Sequence, residues 1–151
     1  MFFFNKRKPF LSKPENERVV QAIREAEKRT SGEIRVFIES KNPLVDTLER
    51  AALVFYKLEM ERTVHRNAVL IYVASVHREI AIFGDEGIHH SVGDDYWKNE
   101  LQQMLNCFKM GNMADGLVAC INHIGTTLQE KFPFHIAEDK NELPDEIIFG
   151  K

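Results

Sequence analysis

Four carboxylates lie within eleven residues near the middle of the chain, and no lysine or arginine stands among them. They are Asp85, Glu86, Asp94 and Asp95, in the stretch GDEGIHHSVGDDYW. Two like charges about 4 Å apart repel by about 1 kcal/mol in water and by roughly 4 kcal/mol near a protein surface. Carboxylate oxygens on flexible loops are the ligands that hard cations such as calcium and magnesium select. We therefore expect a divalent cation to hold these side chains together.

The same acids also have an explanation that needs no metal. Asp94 and Asp95 stand just before a predicted helix, where the helix dipole favours negative charge. Gly84 and Asp85 are common turn residues. The EF-hand pattern of alternating acids with a distal glutamate is absent, so this is not an EF-hand. The spacing alone leaves the metal-binding and the metal-free interpretations open.

Three predicted strands position these residues. Ile34–Ile38 is rich in β-branched and aromatic side chains, and Ala68–Ala74 is the most apolar run of the chain. Glu79–Phe83 follows after a tight turn, which predicts an antiparallel hairpin with the second strand. A predicted helix lies between the first two strands, so we expect them to run parallel through a right-handed crossover.

Four helices are predicted from apolar residues at helical spacing. A capping box formed by Ser12 and Glu15 predicts the start of the first helix. Asp46 starts the second helix, and the third and fourth lie on either side of Gly111. Helices on both faces of a small mixed sheet give an α/β fold, a three-layer α/β/α sandwich with about four strands. Ile147–Phe149 is expected to add an edge strand or a docking strap.

This topology brings the acids to one end of the sheet. Because the hairpin reverses the chain, Asp85 is expected to lie where the first two strands begin. Glu33 opens the first strand, so it is expected at the same end, although it could equally pair with Arg66. The loop after the third strand is then expected to fold over the group. The predicted metal ligands are Glu33, Asp85, Glu86, Asp94 and Asp95.

The charge and the hydropathy of the chain argue against two classes of partner, nucleic acids and membranes. The net charge is −3 at pH 7, whereas a nucleic-acid surface needs a clustered basic excess. No apolar run approaches the length of about eighteen residues that a membrane-spanning helix needs. We therefore expect no nucleic acid and no membrane partner. Apart from the cation, the partner we expect is an unidentified protein.

The chain is expected to form one domain with a short segment at each end. We predict an N-terminal strap at residues 1–11, the domain at residues 12–133 and an acidic tail at residues 134–151. The apolar start is too short for a signal peptide, and its basic residues follow it. Cys107 and Cys120 lack metal or redox spacing, so we expect buried thiols in a reducing cytoplasm.

The order and spacing of several motifs resemble those of a TPM domain. This family is named from thylakoid-lumen, photosystem-repair and levamisole-receptor-modulator proteins. The resemblance covers about residues 12–133. The motifs are TSGEIRV at Thr30–Val36, RNAVLIYVA at Arg66–Ala74, IFGDEGI at Ile82–Ile88, the Tyr96-Trp97 pair, FKMGN at Phe108–Asn112 and the Gly116-Leu117 pair.

The resemblance implies an α/β/α sandwich around a four-stranded sheet and divalent-cation binding by loops at the sheet edge. Plant members of the family have been assigned phosphatase activity, and others serve in photosystem repair or receptor modulation. Many members carry a signal peptide and a C-terminal membrane anchor. This sequence shows neither, so it resembles the stand-alone cytoplasmic form found in Bacteroidetes-type bacteria.

Three functions remain open from the sequence. The first is a non-catalytic module that responds to calcium or magnesium and then meets a partner. The second is a metal-dependent phosphatase in which Arg66 grips the phosphate, although no Cys-x5-Arg, D-x-D-x-[TV] or R-H-G motif is present. The third is a metal-free adaptor that uses Phe2–Phe4 or Ile147–Phe149 as its contact.

Overall fold

The computed structural model describes residues 9–134 and 143–150 of the chain. The helices in these ranges are α1 (Lys13–Glu27), α2 (Thr47–Lys57), α3 (Glu86–Val92), α4 (Asp94–Lys109) and α5 (Met113–Lys131). The strands are β1 (Glu33–Glu39), β2 (Ala68–Ala74), β3 (Glu79–Gly84) and β4 (Ile148–Phe149). Within the described ranges, no helix combines the length and the hydropathy of a membrane span.

The four strands form one mixed sheet in the order β3-β2-β1-β4. β1 and β2 are parallel, and β2 and β3 form the antiparallel hairpin, as predicted. β4 pairs in parallel with the end of β1, which confirms the edge strand expected near Ile147–Phe149. The register places Glu33 opposite Ala68 on one side of β2 and Gly84 opposite Val69 on the other.

The two faces of the sheet carry separate apolar cores. Ile71 faces α1, α4 and α5 and belongs to a core that includes Ile121. The next residue, Tyr72, points to the opposite face and packs with Phe55 of α2. This alternation along the strand buries both faces, because successive side chains of a strand point in opposite directions. The predicted three-layer α/β/α sandwich is therefore confirmed.

Local caps fix where the first two helices begin. The Ser12 N–H donates to Glu15 Oε1 at 2.8 Å, and the Glu15 N–H donates to Ser12 Oγ at 3.2 Å. Asp46 Oδ1 accepts the N–H groups of Leu48 and Glu49 at 2.9 and 3.1 Å. Both caps satisfy backbone donors that have no partner inside their helix. The two predicted starts are thus confirmed.

The segment after β3 differs from the expected loop, because it contains the short helix α3. Asp85 caps this helix by accepting the Glu86 N–H at 2.8 Å. Gly93 ends it with a φ of 79°, a left-handed conformation that favours glycine. Of the seven residues of α3, Ile88 alone is buried, so the sequence offers no apolar periodicity from which to predict a helix.

The ends of the chain are described in part. Phe10 contacts Phe108 with ring centroids 5.6 Å apart, and Leu11 is buried, so the end of the predicted strap packs on the domain. Residues 1–8, which include Phe2–Phe4, lie outside the described residues. In the tail, residues 135–142 also lie outside them. The boundaries of the three predicted segments stay predictions.

Candidate binding site at the end of β3

Arg66 and Asp85 form a bidentate ion pair where β2 begins and β3 ends. Arg66 Nε donates to Asp85 Oδ2 at 2.7 Å, and Arg66 Nη2 donates to Asp85 Oδ1 at 2.8 Å. The Asp85 residue is 1% exposed, and its Oδ1 also accepts the Glu86 N–H. Two parallel charge-assisted bonds make this the strongest geometry for such a pair. Arg66 thus supplies a positive charge that the acidic stretch itself lacks.

The backbone around Arg66 is held tightly against the first turn of α3. Arg66 has a φ of 50°, and its carbonyl accepts the Gly87 N–H at 2.8 Å. A Cβ on Gly87 would lie 2.3 Å from the His65 carbonyl oxygen and 2.6 Å from that of Arg66. Only glycine permits this approach, so Gly87 serves the packing of the loop against α3.

Glu86 shares the same arginine but points towards solvent. Arg66 Nη1 donates to Glu86 Oε1 at 3.1 Å, and the Glu86 side chain is 72% exposed. The hydrogen bonds to Asp85, followed by the charges of Asp85 and Glu86, raise the pKa of Arg66 above its ordinary value. Nε, Nη1 and Nη2 of Arg66 are therefore all engaged by carboxylates.

Asp94 lies across from His89, whose ring orientation is fixed by Trp97. Trp97 Nε1 donates to His89 Nδ1 at 3.0 Å. An indole N–H is only a donor, so Nδ1 must be an unprotonated acceptor and the proton of the neutral ring is on Nε2. His89 Nε2 lies 3.5 Å from Asp94 Oδ1, and the Asp94 side chain is 80% exposed. Asp95 is also exposed, in the first turn of α4.

Glu33 lies at the same end of the sheet but on the other side of β2. Its Cα partner is Ala68, whose carbonyl accepts the Asp85 N–H from the opposite side at 2.9 Å. Neighbouring strands lie about 4.8 Å apart, so β2 separates Glu33 from Asp85 by two strand spacings. The structure therefore brings Asp85 and Glu86 together on Arg66, and it does not bring Glu33 to them.

Glu33 instead stands beside Glu27, a residue that the sequence did not single out. Glu27 Oε2 accepts the Ile34 N–H at 2.9 Å and so caps the open edge of β1. Burial raises the pKa of Glu27 well above its usual range, and a hydrogen bond to Asp145 and the charge of Glu33 add to the shift. Glu27 lies at the end of α1, so only the folded chain places it beside Glu33.

A groove of about 920 Å³ runs along β3 between α2 and α4. Its walls are apolar, with Leu48 and Tyr56 on the α2 side and Trp97 and Leu101 on the α4 side. Its polar rim carries Asp46, Asp85, Glu86, His89, Asp94 and Lys98. Sequence reasoning missed this groove, although the edge position of β3 follows from a hairpin with no later strand beside it.

Of the predicted ligands, Glu86 and Asp94 combine a place on the rim of this groove with carboxylates that solvent reaches. Glu86 and Asp94 offer mostly exposed carboxylates on that rim, and Asp95 follows in the next position. The oxygens of Asp85 already accept hydrogen bonds from Arg66 and from the Glu86 N–H. In the residues described, no cluster of three histidine, cysteine, aspartate or glutamate side chains forms a ready-made metal cage.

Comparison with known proteins places this geometry in a family. The chain matches the family model described as TPM domain over residues 5–127. It is also similar to the NMR structure of the BA42 protein from the psychrophilic bacterium Bizionia argentinensis, with 41% identity and a TM-score of 0.87. That match covers 97% of this chain and 100% of BA42. No curated protein matches the chain significantly.

Two more distant solved structures share the fold. The N-terminal domain of the cg2496 protein from Corynebacterium glutamicum has 13% identity and a TM-score of 0.63, over 85% of this chain and 88% of that chain. The N-terminal domain of a protein from P. gingivalis has 17% identity and a TM-score of 0.59, over 83% of each chain. At these identities the likeness supports the fold alone.

Proposed function

Since the chain belongs to the TPM domain family, we propose that it is a non-catalytic interaction module that binds calcium or magnesium. The carboxylates of Glu86, Asp94 and Asp95 are the proposed ligands. The observation that carries this proposal is the exposure of the Glu86 and Asp94 side chains, 72% and 80%, on the rim of one groove. These carboxylates are accessible to an ion from solvent.

The charge balance of the rim favours a cation. Arg66 pairs with both Asp85 and Glu86, whereas no lysine or arginine of the described residues forms an ion pair with Asp94 or Asp95. A divalent cation bound by Glu86, Asp94 and Asp95 would offset their negative charge. Calcium takes six to eight oxygen ligands, so water would complete its shell.

The geometry gives less support to phosphatase chemistry. Arg66 is the residue that would have gripped a phosphate, but its Nε, Nη1 and Nη2 donate to Asp85 and Glu86. Burial raises the pKa of the Cys120 thiol, which disfavours the thiolate that a nucleophile needs. Phosphoester turnover is therefore the competing outcome.

Calorimetric titration of chelator-treated protein with calcium and with magnesium tests the proposal, run beside a phosphoester hydrolysis assay. We expect heat of binding with each ion and no turnover. In the triple variant Glu86→Gln, Asp94→Asn, Asp95→Asn, we expect the binding heat to disappear while thermal unfolding in chelator stays close to that of the parent.

The matched control is Asp115→Asn, which removes an exposed acid that pairs with Arg18 on α1 and does not line the groove. This variant is expected to bind both ions like the parent. An absence of heat in the parent protein would leave the metal-free adaptor as the better interpretation. Metal-dependent turnover that is lost in the triple variant would favour the phosphatase.

A further inference from the structure

The outer edge of β3 points backbone groups into the groove. Within the described ranges, β3 is the terminal strand of the sheet, and the Asp85 N–H donates to the Ala68 carbonyl at its inner edge. Hydrogen bonds alternate along an antiparallel pair, so the N–H and C=O groups of Ile80 and Ile82 point outward, away from β2. In the described part of the chain, no loop or side chain pairs with these groups.

The outward N–H and C=O groups of Ile80 and Ile82 line the groove. Ile80 is 6% exposed and Ile82 is 5% exposed. These low values come from side chains that are buried in the core, whereas the unpaired backbone groups of a sheet edge are a template for pairing with another chain. The six residues of β3 span about 20 Å at the usual rise of a strand. The edge therefore offers a partner chain a row of donors and acceptors of the length of one short strand.

The walls beside this edge are apolar and partly exposed. Leu48 and Tyr56 of α2 line the groove with side chains that are 53% and 49% exposed. On the α4 side, the Trp97 ring packs against the backbone of Gly84, where an added Cβ would lie 2.3 Å from Cζ2. Apolar side chains that alternate above and below an added strand would contact these two walls.

Acidic groups stand at both ends of the groove. Asn42 Nδ2 donates to Glu79 Oε1 at 3.0 Å, which ties the loop before α2 to the first residue of β3, and Asp46 at the end of this loop lines the groove. At the other end of the groove, Glu86 and Asp94 follow Gly84, the last residue of β3. Lys98 is the single lysine or arginine among the described lining residues. Arg66 pairs with Glu86, but no lysine or arginine of the described residues pairs with Asp46 or Asp94, so basic residues at both ends of a partner would match the groove.

We propose that this groove binds an extended peptide, which joins the sheet as a further strand beside β3 and has an apolar centre with basic residues at both ends. Strand addition to an exposed sheet edge draws its affinity from main-chain hydrogen bonds and its selectivity from alternate side chains. This inference deepens the proposed function, because it rests on the chain being an interaction module and names the chemistry of the partner.

The test is a fluorescence titration with the synthetic peptide Lys-Lys-Val-Phe-Val-Lys-Lys, blocked at both ends, in chelator and at low salt. Trp97 is the single tryptophan of the chain and lies in the groove, so its emission reports occupancy. Two variants of this peptide separate backbone pairing from side-chain contact. One is N-methylated at the odd-numbered residues and the other at the even-numbered residues, so each loses the N–H groups of one edge and keeps all its side chains. One of them is expected to lose at least about tenfold in affinity, since only one edge of the peptide can donate to β3.

Amide hydrogen exchange measured by NMR supplies an internal control. The amides of Ile80 and Ile82 are expected to gain protection when the peptide binds. Those of Ala81 and Phe83 already face β2 and are expected to change little. If the amides of Ile80 and Ile82 are protected in the free protein, the groove already holds part of the chain or a second copy, and the proposal is wrong. Sedimentation equilibrium would show, from the mass in solution, whether that occupant is a second copy of the chain.

The double variant Glu86→Gln, Asp94→Asn tests the basic ends of the partner. We expect its affinity for the peptide to fall about fivefold, as for two exposed ion pairs at a rim. Asp115→Asn is again the control and is expected to bind like the parent. Equal affinity in the double variant would contradict a basic partner, and equal binding of both N-methylated peptides would contradict strand addition.

Failure of this inference is distinguishable from failure of the proposed cation site. All peptide titrations are done in chelator, so their result does not depend on calcium. No change in Trp97 emission or in amide protection at millimolar peptide would overturn the peptide proposal and leave the cation titration unaffected. Conversely, an absence of calcium heat would leave the peptide result standing.

Discussion

Replacing Asp85 by alanine is expected to destabilise the protein whether or not a cation is present. The buried carboxylate accepts two bonds from Arg66 and caps α3 through the Glu86 N–H. Losing a cap costs about 1 kcal/mol, and losing a hydrogen bond to a charged group costs about 1.5–3 kcal/mol. The Arg66 side chain is 35% exposed, so water can replace part of what it loses. We expect a total loss of about 2–3 kcal/mol.

Urea unfolding in chelator and in calcium measures this loss. In chelator the control is Asp95→Asn, an exposed acid of the same stretch, which is expected to change the free energy of unfolding there by less than about 0.5 kcal/mol. If Asp85→Ala changes it by less than about 0.5 kcal/mol in chelator, the carboxylate is not a structural anchor. A loss that appears only in calcium would instead make Asp85 a metal ligand.

Two further predictions concern the fold. Trp97→Ala is expected to lower the free energy of unfolding by about 3–5 kcal/mol, because the ring is 9% exposed and packs on Gly84; a loss below about 1 kcal/mol in urea unfolding would contradict this. Burial raises the pKa of Glu27 from 4.5, so the folded state holds a proton that the unfolded chain releases, and stability should fall as the pH rises above 4.5. Urea unfolding at several pH values measures this dependence. Glu27→Gln should flatten the dependence of the free energy of unfolding on pH between pH 5 and pH 8. An unchanged dependence would refute the assignment of this proton to Glu27.

The sequence predicted the elements whose signals are local. The caps at Ser12 and Asp46 and the apolar run Ala68–Ala74 each act within a few residues, so the pattern alone identifies them. The parallel crossover and the hairpin then follow from chain order. α3 was missed because its seven residues bury Ile88 alone, and its cap at Asp85 looked like a turn.

The pairings at the candidate site could not be predicted, because they depend on which side of β2 each residue occupies. The sequence placed Glu33 and Asp85 at the same end of the sheet, and the register agrees. It could not show that β2 stands between them. Nor could it assign Arg66 to Asp85 rather than to Glu33. Such pairings join residues distant in the sequence, and spacing carries no information about them.

The most direct test of the central claim is an NMR titration of the chelator-treated, ¹⁵N-labelled protein with calcium. We expect saturable amide shifts that centre on Glu86, Asp94 and Asp95, with little change at Glu33, which lies beyond β2. Spectra that do not change in millimolar calcium would contradict the cation site at the groove rim, and so would shifts that centre on Glu33.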